Sequence, residues 1–427
     1  METGIAIALV LLSLLEIGRL VAALARPEPP YRVLSEPAPE SGEPGYRAHL
    51  GAVLDCAPER LALVDPMFSG RAFYDAQVEA ISRAERSVHV TYYIFRPGRT
   101  AERFVEALAE RARAGVEVRV LLDWFGSLRT RKSYLAAIEE AGGKVEWYHP
   151  LRWDLWPRLN HRSHQNILVI DGSLAYVGGA GVADIWWDGR RTRRHRPWRD
   201  SCFRIEGEAV AGLQAAFAQN WAAAVGEVLN RSTDFPIPPA DTSGAHTLVI
   251  NGTPTRGGLV RSRVLFQLLI NGARKRIRIE TPYFLPDASA RREMREAISR
   301  GVEIEIVVPG RHAVPFFTRR CSRRHYGDLL KAGAKIYEYK RAMMHAKTLV
   351  VDDRWSVFGS TNFDPRSFGI NDEINVAVQD AELARSLEEQ FAVDKEKSEE
   401  ISYKQWRRRP PWERVTELLS AVFERQQ

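Results

Sequence analysis

Cysteine is nearly absent from this 427-residue chain: Cys56, Cys202 and Cys321 are far apart and odd in number. They offer neither a disulfide framework nor a CxxC metal pair, and they fit a reducing compartment. Long apolar runs are scarce too. Only residues 4–25 could reach across a bilayer, which excludes a polytopic membrane protein. With 45% hydrophobic and 27% charged residues, wholesale disorder is excluded as well. The last shortage is of acid: 61 Lys and Arg stand against 54 Asp and Glu, a net charge of +7. That balance favours a polyanionic partner, either nucleic acid or an anionic membrane. At about 150 residues per domain, the length accommodates two or three domains.

As a helix, residues 4–25 (GIAIALVLLSLLEIGRLVAALA) would extend about 33 Å, just enough to span a membrane. Glu16 and Arg19, three apart, can pair along one face. No basic residue precedes the apolar run, the first ones being Arg19 and Arg26 toward its end, so the pattern is that of an anchor and not of a cleaved signal peptide. The remainder is then expected on the cytoplasmic side of the inner membrane. A helix lying in the interface, or one docked on the core, would use the same pattern.

One order of elements is written twice. VEAISRAERSVHVTYYIF (78–95) resembles LFQLLINGARKRIRIETPYFL (265–285), each a helical stretch running into a strand. ARAGVEVRVLLD (112–123) parallels ISRGVEIEIVVP (298–309), and AGGKVEWYHP (141–150) parallels AGAKIYEYKR (332–341). Each half closes on a hairpin, HQNILVIDGSLAYVGGAGV (164–182) or HAKTLVVDDRWSVFGSTNF (345–363), with Asp-Gly at 171–172 as a turn signal. The expected architecture is therefore α/β, with two tandem sandwich repeats and one shared site at a pseudo-two-fold interface. The expected division is an apolar segment 1–30, a first repeat 50–232, a Pro- and Ser-rich linker 233–245, a second repeat 246–395 and a basic amphipathic tail 396–427.

The chemistry-bearing residues lie in the two hairpins. His345, Lys347 and Asp352 form an H-x-K-x4-D pattern, and GSTNFDPRSFGINDE follows from Gly359. The first half offers His164 and Asp171 at the same spacing, then Gly178 and Gly179. On a strand, positions i and i+2 share a face, so His345 and Lys347 can enter one pocket. An imidazole can attack phosphorus, an ammonium can hold the non-bridging oxygens, Ser360 and Asn362 can donate hydrogen bonds, and a second histidine can protonate the leaving alkoxide.

On these residues the chain resembles the phospholipase D superfamily, and within it the bacterial cardiolipin synthases, from about residue 50 to 400. The resemblance implies metal-independent, cofactor-free phosphatidyl transfer through a phosphohistidine intermediate. It casts one of His164 and His345 as nucleophile and the other as general acid, with His164, in the first repeat, the expected nucleophile. It also implies catalytic roles for Lys347, Asp171 and Asp352. Lys347 would bind phosphate, Ser360 and Asn362 would line the pocket, and Glu373 would be an acidic partner. WRD at 198–200 matches a recurrent family stretch. Two positions depart from the pattern: Asn166 stands where lysine is expected and Gly181 where asparagine is expected. Asn166 could still donate to a phosphoryl oxygen, but without charge, so a weakened half-site is expected.

Basic runs at 190–199, 319–325 and 404–415 are interleaved with tryptophan: Trp153 and Trp156, Trp186 and Trp187, Trp406 and Trp412. Such surfaces suit lipid headgroups. A stripe of Trp412, Val415, Leu418, Leu419, Val422 and Phe423 could dock on the core or lie on a membrane. The leading expectation is a phosphatidyltransferase at a bacterial membrane, acting on an anionic, phosphatidylglycerol-like lipid. The alternatives are a phospholipase D-like hydrolase, a nuclease, which is the less favoured since nucleic acid is not the expected partner, and an anionic-lipid-binding protein without turnover.

Overall fold

The computed structural model describes residues 45–151, 160–187, 196–236, 244–253, 260–310 and 316–420, with a few positions among 13–43. The segment 4–25 lies outside the described residues apart from 13, 15 and 16, as do Trp153, Trp156, residues 188–195, most of the expected linker and the chain beyond 420. No helix among the described residues is long and apolar enough to cross a membrane.

The first repeat supplies β1 (Glu59–Met67), β2 (Ser87–Tyr92), β3 (Glu117–Asp123), β4 (Lys144–Tyr148), β5 (Ile167–Ile170), β6 (Leu174–Gly178) and β7 (Cys202–Gly207). The second supplies β8 (Ala245–Asn251), β9 (Arg276–Glu280), β10 (Glu303–Pro309), β11 (Lys335–Tyr339), β12 (Thr348–Val351), β13 (Trp355–Gly359) and β14 (Ile374–Gln379), with β15 (Ser398–Glu400) added at the edge. From the outer edge inward the first repeat runs β4-β3-β2-β5-β6-β7-β1, and the second runs β11-β10-β9-β12-β13-β14-β8. The same order read from both ends is the pseudo-two-fold. Because β1 pairs antiparallel with β8, the two sheets join into one of fifteen strands.

The strand sequences account for their places. SVHVTY, ILVI and TLVV are buried along their whole length, as expected of β-branched runs covered on both faces. Helices Gly70–Ser82 and Arg99–Arg113 cover one face of the first repeat, the latter burying Ala101, Phe104, Val105, Leu108 and Ala112 at helical spacing. Helices Ala209–Val225 and Ala381–Glu396 follow β7 and β14, and one apolar cluster takes in Val210 and Leu213 from the former and Leu383 and Leu387 from the latter. Across it Phe203 and Phe358 stack with ring centroids 3.7 Å apart.

Two segments sit where their place in the chain does not suggest. Helix Tyr46–Leu54, part of which falls in the range expected for the first repeat, packs on the second: Tyr46, Leu50 and Leu54 enter its core, and the Tyr46 hydroxyl donates to Leu268 O at 2.7 Å. The basic run 319–325 turns inward, with Arg319 and Arg323 paired to Glu338 and Arg320 to Glu413 of helix Pro411–Ser420. Trp406 donates from its indole to Arg323 O at 2.7 Å. The described part of the tail is thus docked on the second repeat.

Asp171 and Asp352 belong to the turns, which corrects the catalytic part expected of them. Hairpins β5–β6 and β12–β13 turn through Asp171-Gly172 and Asp352-Asp353, all with φ between 54° and 65°, the type I′ geometry. From there the Asp171 carboxylate accepts from the N–H groups of Glu85, Arg86 and Ser87 at 2.7–3.0 Å, which lead into β2. Asp352 does the same for Arg274, Lys275 and Arg276 ahead of β9, at 2.7–3.1 Å, and also accepts from the Ser41 hydroxyl. Seven residues of extended chain put each aspartate roughly 23 Å from its histidine, at the far end of the strand. Asp352→Ala strips four donors of their acceptor, so urea unfolding is expected to show a loss of about 2 kcal/mol or more. A loss under about 0.5 kcal/mol would contradict this turn-fixing role.

Candidate active site

Just before β5 and β12 the chain leaves the sheet and crosses to the other repeat. The His164 N–H donates to Asp372 O at 2.9 Å, and Ser163 and Asp372 form a parallel bridge. The His345 N–H donates to Arg199 O at 2.7 Å, and Arg199 bridges Met344. Each histidine is therefore set against the residue that precedes a carboxylate of the opposite repeat, Glu373 in one case and Asp200 in the other.

The side chains complete the exchange. His164 Nδ1 lies 3.1 Å from both oxygens of Glu373, which is fully buried and also accepts from the Ser360 hydroxyl. His345 Nδ1 lies 2.6 Å from Asp200 Oδ2, which also accepts from the Trp186 indole at 3.0 Å. Each carboxylate orients its ring and leaves Nε2 to a ligand, the arrangement that keeps an imidazole reactive toward one side. Tyr93 packs edge-on to His164 at 5.0 Å, and Trp186 and Trp198 flank His345 at 5.5 and 5.3 Å.

Lys347 is the pocket's buried cation. Its Nζ lies 2.8 and 3.3 Å from the two ring nitrogens of His345 and donates to His345 O at 2.6 Å. A Cβ at Gly179 would meet this Nζ at 2.8 Å, so the second repeat's lysine rests against the first repeat's glycine. Burial lowers the Lys347 pKa to about 8, against the pull of Asp200, Glu373 and Asp364. Burial, then the Lys347 ammonium, lowers the His345 pKa to about 4, which Asp200 only partly opposes. At neutral pH His345 is thus a neutral imidazole that gives Nδ1–H to Asp200 and keeps a lone pair on Nε2.

Asn362 Oδ1 and Asp364 Oδ2 are among the buried acceptors that find no protein donor among the described residues. Burial, with Glu373 adding to it, raises the Asp364 pKa to about 6. Elsewhere His89, Glu117 and Asp234 bring three donor atoms within 4.8 Å of one another. Arg119 is packed into that group, 3.1 Å from His89 and paired to Glu117, and Arg231 pairs to Glu117 as well. The guanidinium groups supply the charge a metal would bring, so the group is an ion-pair cluster.

A family model described as "Cardiolipin synthase, PLD-like domain" matches residues 78–221 and 267–395, more than half of the chain. The chain belongs to this family. The major cardiolipin synthase ClsA of Bacillus subtilis is 34% identical over 370 residues, covering 84% of this chain and 74% of that protein. A cardiolipin synthase of Oceanobacillus iheyensis is 32% identical over 360 residues, with the same coverage. Among solved structures, phosphatidylserine synthase of Haemophilus influenzae superposes with a TM-score of 0.67 at 14% identity, over 89% of this chain and 97% of that one, a likeness of fold. The chain is accordingly an enzyme of the phospholipase D superfamily, with the family's two-repeat fold.

The sequence-derived site residues divide into three groups. His164, His345, Lys347, Ser360 and Glu373 come together at one site, Asn362 is buried two residues beyond Ser360, and Asp171 and Asp352 are in the turns. Asn166 is buried but its amide is spent on the backbone, donating to Gly179 O at 3.1 Å and accepting from Tyr93 N at 3.2 Å. Phosphoryl binding by Asn166 is thus replaced by a structural part. Gly181 has no space for the asparagine of the family pattern, because a Cβ there would stand 2.3 Å from Ile94 O. Asp200 lay within the recognised WRD stretch without a role, and the signal for it was symmetry: a histidine–carboxylate pair in one half requires its counterpart in the other. Since Asn166 holds two backbone groups, Asn166→Lys is expected to cost about 1–3 kcal/mol in thermal or urea unfolding and to bring no gain in turnover. Faster turnover without loss of stability would show that the pocket still fits a second lysine.

Proposed function

We propose that the protein is a membrane-associated phosphatidyltransferase of cardiolipin synthase type. It moves a phosphatidyl group from a phosphatidylglycerol-like donor to a glycerol-type alcohol through a phosphohistidine. The single observation that carries this reading is the crossed pairing, His164 with Glu373 and His345 with Asp200, around one buried ammonium. In the first step an imidazole Nε2 attacks phosphorus, the N–P bond forms, and the P–O bond to the leaving alkoxide breaks as the other imidazolium gives that oxygen its proton. In the second step the acceptor hydroxyl returns a proton to the now neutral imidazole as its oxygen attacks, and the P–N bond breaks. Lys347 holds the non-bridging oxygens throughout. Asn362 Oδ1 and Asp364 Oδ2 are acceptors free for a hydroxyl-bearing substrate.

The order of roles follows from the missing lysine. With Asn166 in its place, His164 has a carboxylate but no ammonium beside it, whereas His345 has both. The neutral His345 ring, with its free lone pair, suits the nucleophile, and the histidine without an ammonium beside it takes the other part, so His345 attacks and His164 protonates, the reverse of the order expected from the resemblance.

Membrane association is supported by a rim beside His164. In the loop after β3, Phe125 and Leu128 are 56% and 53% exposed, and Leu151 is 59% exposed. Arg129 and Arg131, also exposed, follow in the same loop, and exposed Lys132 opens the helix after it. The loop is fixed to the site: Asp123 accepts from the N–H of Ser163, and the Ser127 hydroxyl donates to the carbonyl of Tyr93, which packs on His164. Apolar tips between cations suit an anionic bilayer surface. The basic residues that come only from Arg19 onward support a cytoplasmic-side reading for that surface.

Incubation with radiolabelled phosphatidylglycerol, without divalent metal, is expected to yield cardiolipin, with label retained on His164→Ala after an alkaline denaturing quench, in which a P–N bond survives, and absent from His345→Ala. Label on His345→Ala would restore the opposite order, and phosphatidic acid as sole product would make the enzyme a hydrolase. Because the ammonium is needed and is lost as pH rises through about 8, kcat/KM should fall above that pH. Lys347→Arg, whose charge persists, should shift this limb upward. A limb that stays put assigns it to another group. An environment-sensitive dye on Leu128→Cys should shift to the blue with anionic vesicles. The same dye at Val228, 81% exposed and beside Glu227, which pairs with Lys144 at the opposite strand ends, should not shift. Equal responses would remove the rim from the membrane.

A further inference from the structure

A second basic hollow lies behind His345. Its volume is about 400 Å³, and its walls include Arg71, Arg196, Arg341 and Lys397 together with Trp187 and Trp198. No carboxylate is among its described lining residues. None of the four cations forms an ion pair among the described residues; Arg71, Arg196 and Arg341 are exposed at the mouth of the hollow and Lys397 is half-buried. Cations gathered in a concavity without counter-ions repel one another and are held there at a cost that an anion would remove. A merely solvated basic face would be convex, with carboxylates interspersed.

The hollow shares two walls with the reaction site. Trp186 and Trp198 line it and also flank the His345 ring. Between them the strip 198–200 carries Asp200 to His345 and pairs with the backbone of Met343 and His345. The reacting phosphate has Lys347. An acceptor that bears a phosphate of its own needs separate cations a short distance away, and a phosphate seated in this hollow would put its attached glycerol hydroxyl beside the phosphorus on His345. Indole and tyrosine walls suit the glycerol backbone of a lipid.

The geometry points to this hollow as the binding site for the phosphate of the acceptor, a second anionic glycerophospholipid, an assignment that rests on the transferase reading above. The selectivity follows. Water and free glycerol gain nothing from the four cations, whereas a phosphatidylglycerol-class acceptor is concentrated at the intermediate.

Binding of monomeric dihexanoyl phosphatidylglycerol to the full chain, measured by equilibrium dialysis in a His164→Ala background to suppress turnover, decides the matter. Two molecules per chain are expected, and one with Arg71→Gln and Arg341→Gln together. Arg196→Gln with Lys397→Gln serves as an independent pair should the first fold poorly. Two molecules bound to both variants would overturn the assignment. Displacement of the second lipid by an equal concentration of inorganic phosphate would make the hollow a free-phosphate site and overturn it too. With His164 restored, the ratio of cardiolipin to phosphatidic acid formed should drop at least tenfold in the variants, and an unchanged ratio counts against the proposal. If the unaltered chain turns over no phosphatidylglycerol, the transferase reading fails, while the two-to-one binding count still judges the hollow.

Discussion

Everything at the centre of this protein depends on an exchange of carboxylates across the pseudo-two-fold. Glu373 of the second repeat orients His164 of the first, and Asp200 of the first orients His345 of the second, so neither half holds a complete histidine site. The exchange is made first by backbone, through the bridges Ser163 to Asp372 and Arg199 to Met344. A side-chain pair alone would be free to drift with two rotamers. Built on a bridge one residue away, it inherits the rigidity of two sheets that are themselves joined through β1 and β8. The fifteen-stranded sheet is the device that makes the relative position of the repeats part of the active site.

A two-fold scaffold would by itself produce two equal half-sites, yet the two histidines of this one have different surroundings. Here a single substitution separates them. With Asn166 turned onto the backbone, the pocket keeps one ammonium, and that ammonium sits against His345. The difference between the rings is thus electrostatic and not topological. The close approach of Ile94 O to Gly181 shows that the first half-site has been repacked around its smaller residues.

The repeat, the hairpins and both histidines were legible in the chain because each rests on local signals: buried β-branched runs, an Asp-Gly turn, and equal spacing in two places. The same spacing misled about Asp171 and Asp352. A count of seven residues does not reveal that an intervening strand carries the aspartate to the far end of the sheet, where its carboxylate is worth more to the backbone of a neighbouring strand than to chemistry. Asp200 was opaque for the opposite reason. It lies 145 residues from the histidine it serves, and no pattern within one repeat can disclose a partner in the other. Asn166 looked like a weakened phosphate ligand because residue type reports what a side chain can donate, whereas its role was decided by which backbone groups lay within reach.

Burial sets the terms for the charges that remain. Lys347, Asp200 and Glu373 are all withdrawn from water, and a lone ion so placed would neutralise itself before it paid its full desolvation cost. Lys347 is shared between the two carboxylates, whose pull works against its desolvation. An incoming phosphodiester would bring a negative charge to a pocket that already contains two carboxylates, so its binding would strengthen the hold of Lys347 on its proton. The substrate would in this way assist in assembling the charge state that its own cleavage requires, and the site would be poised only when the phosphate is present.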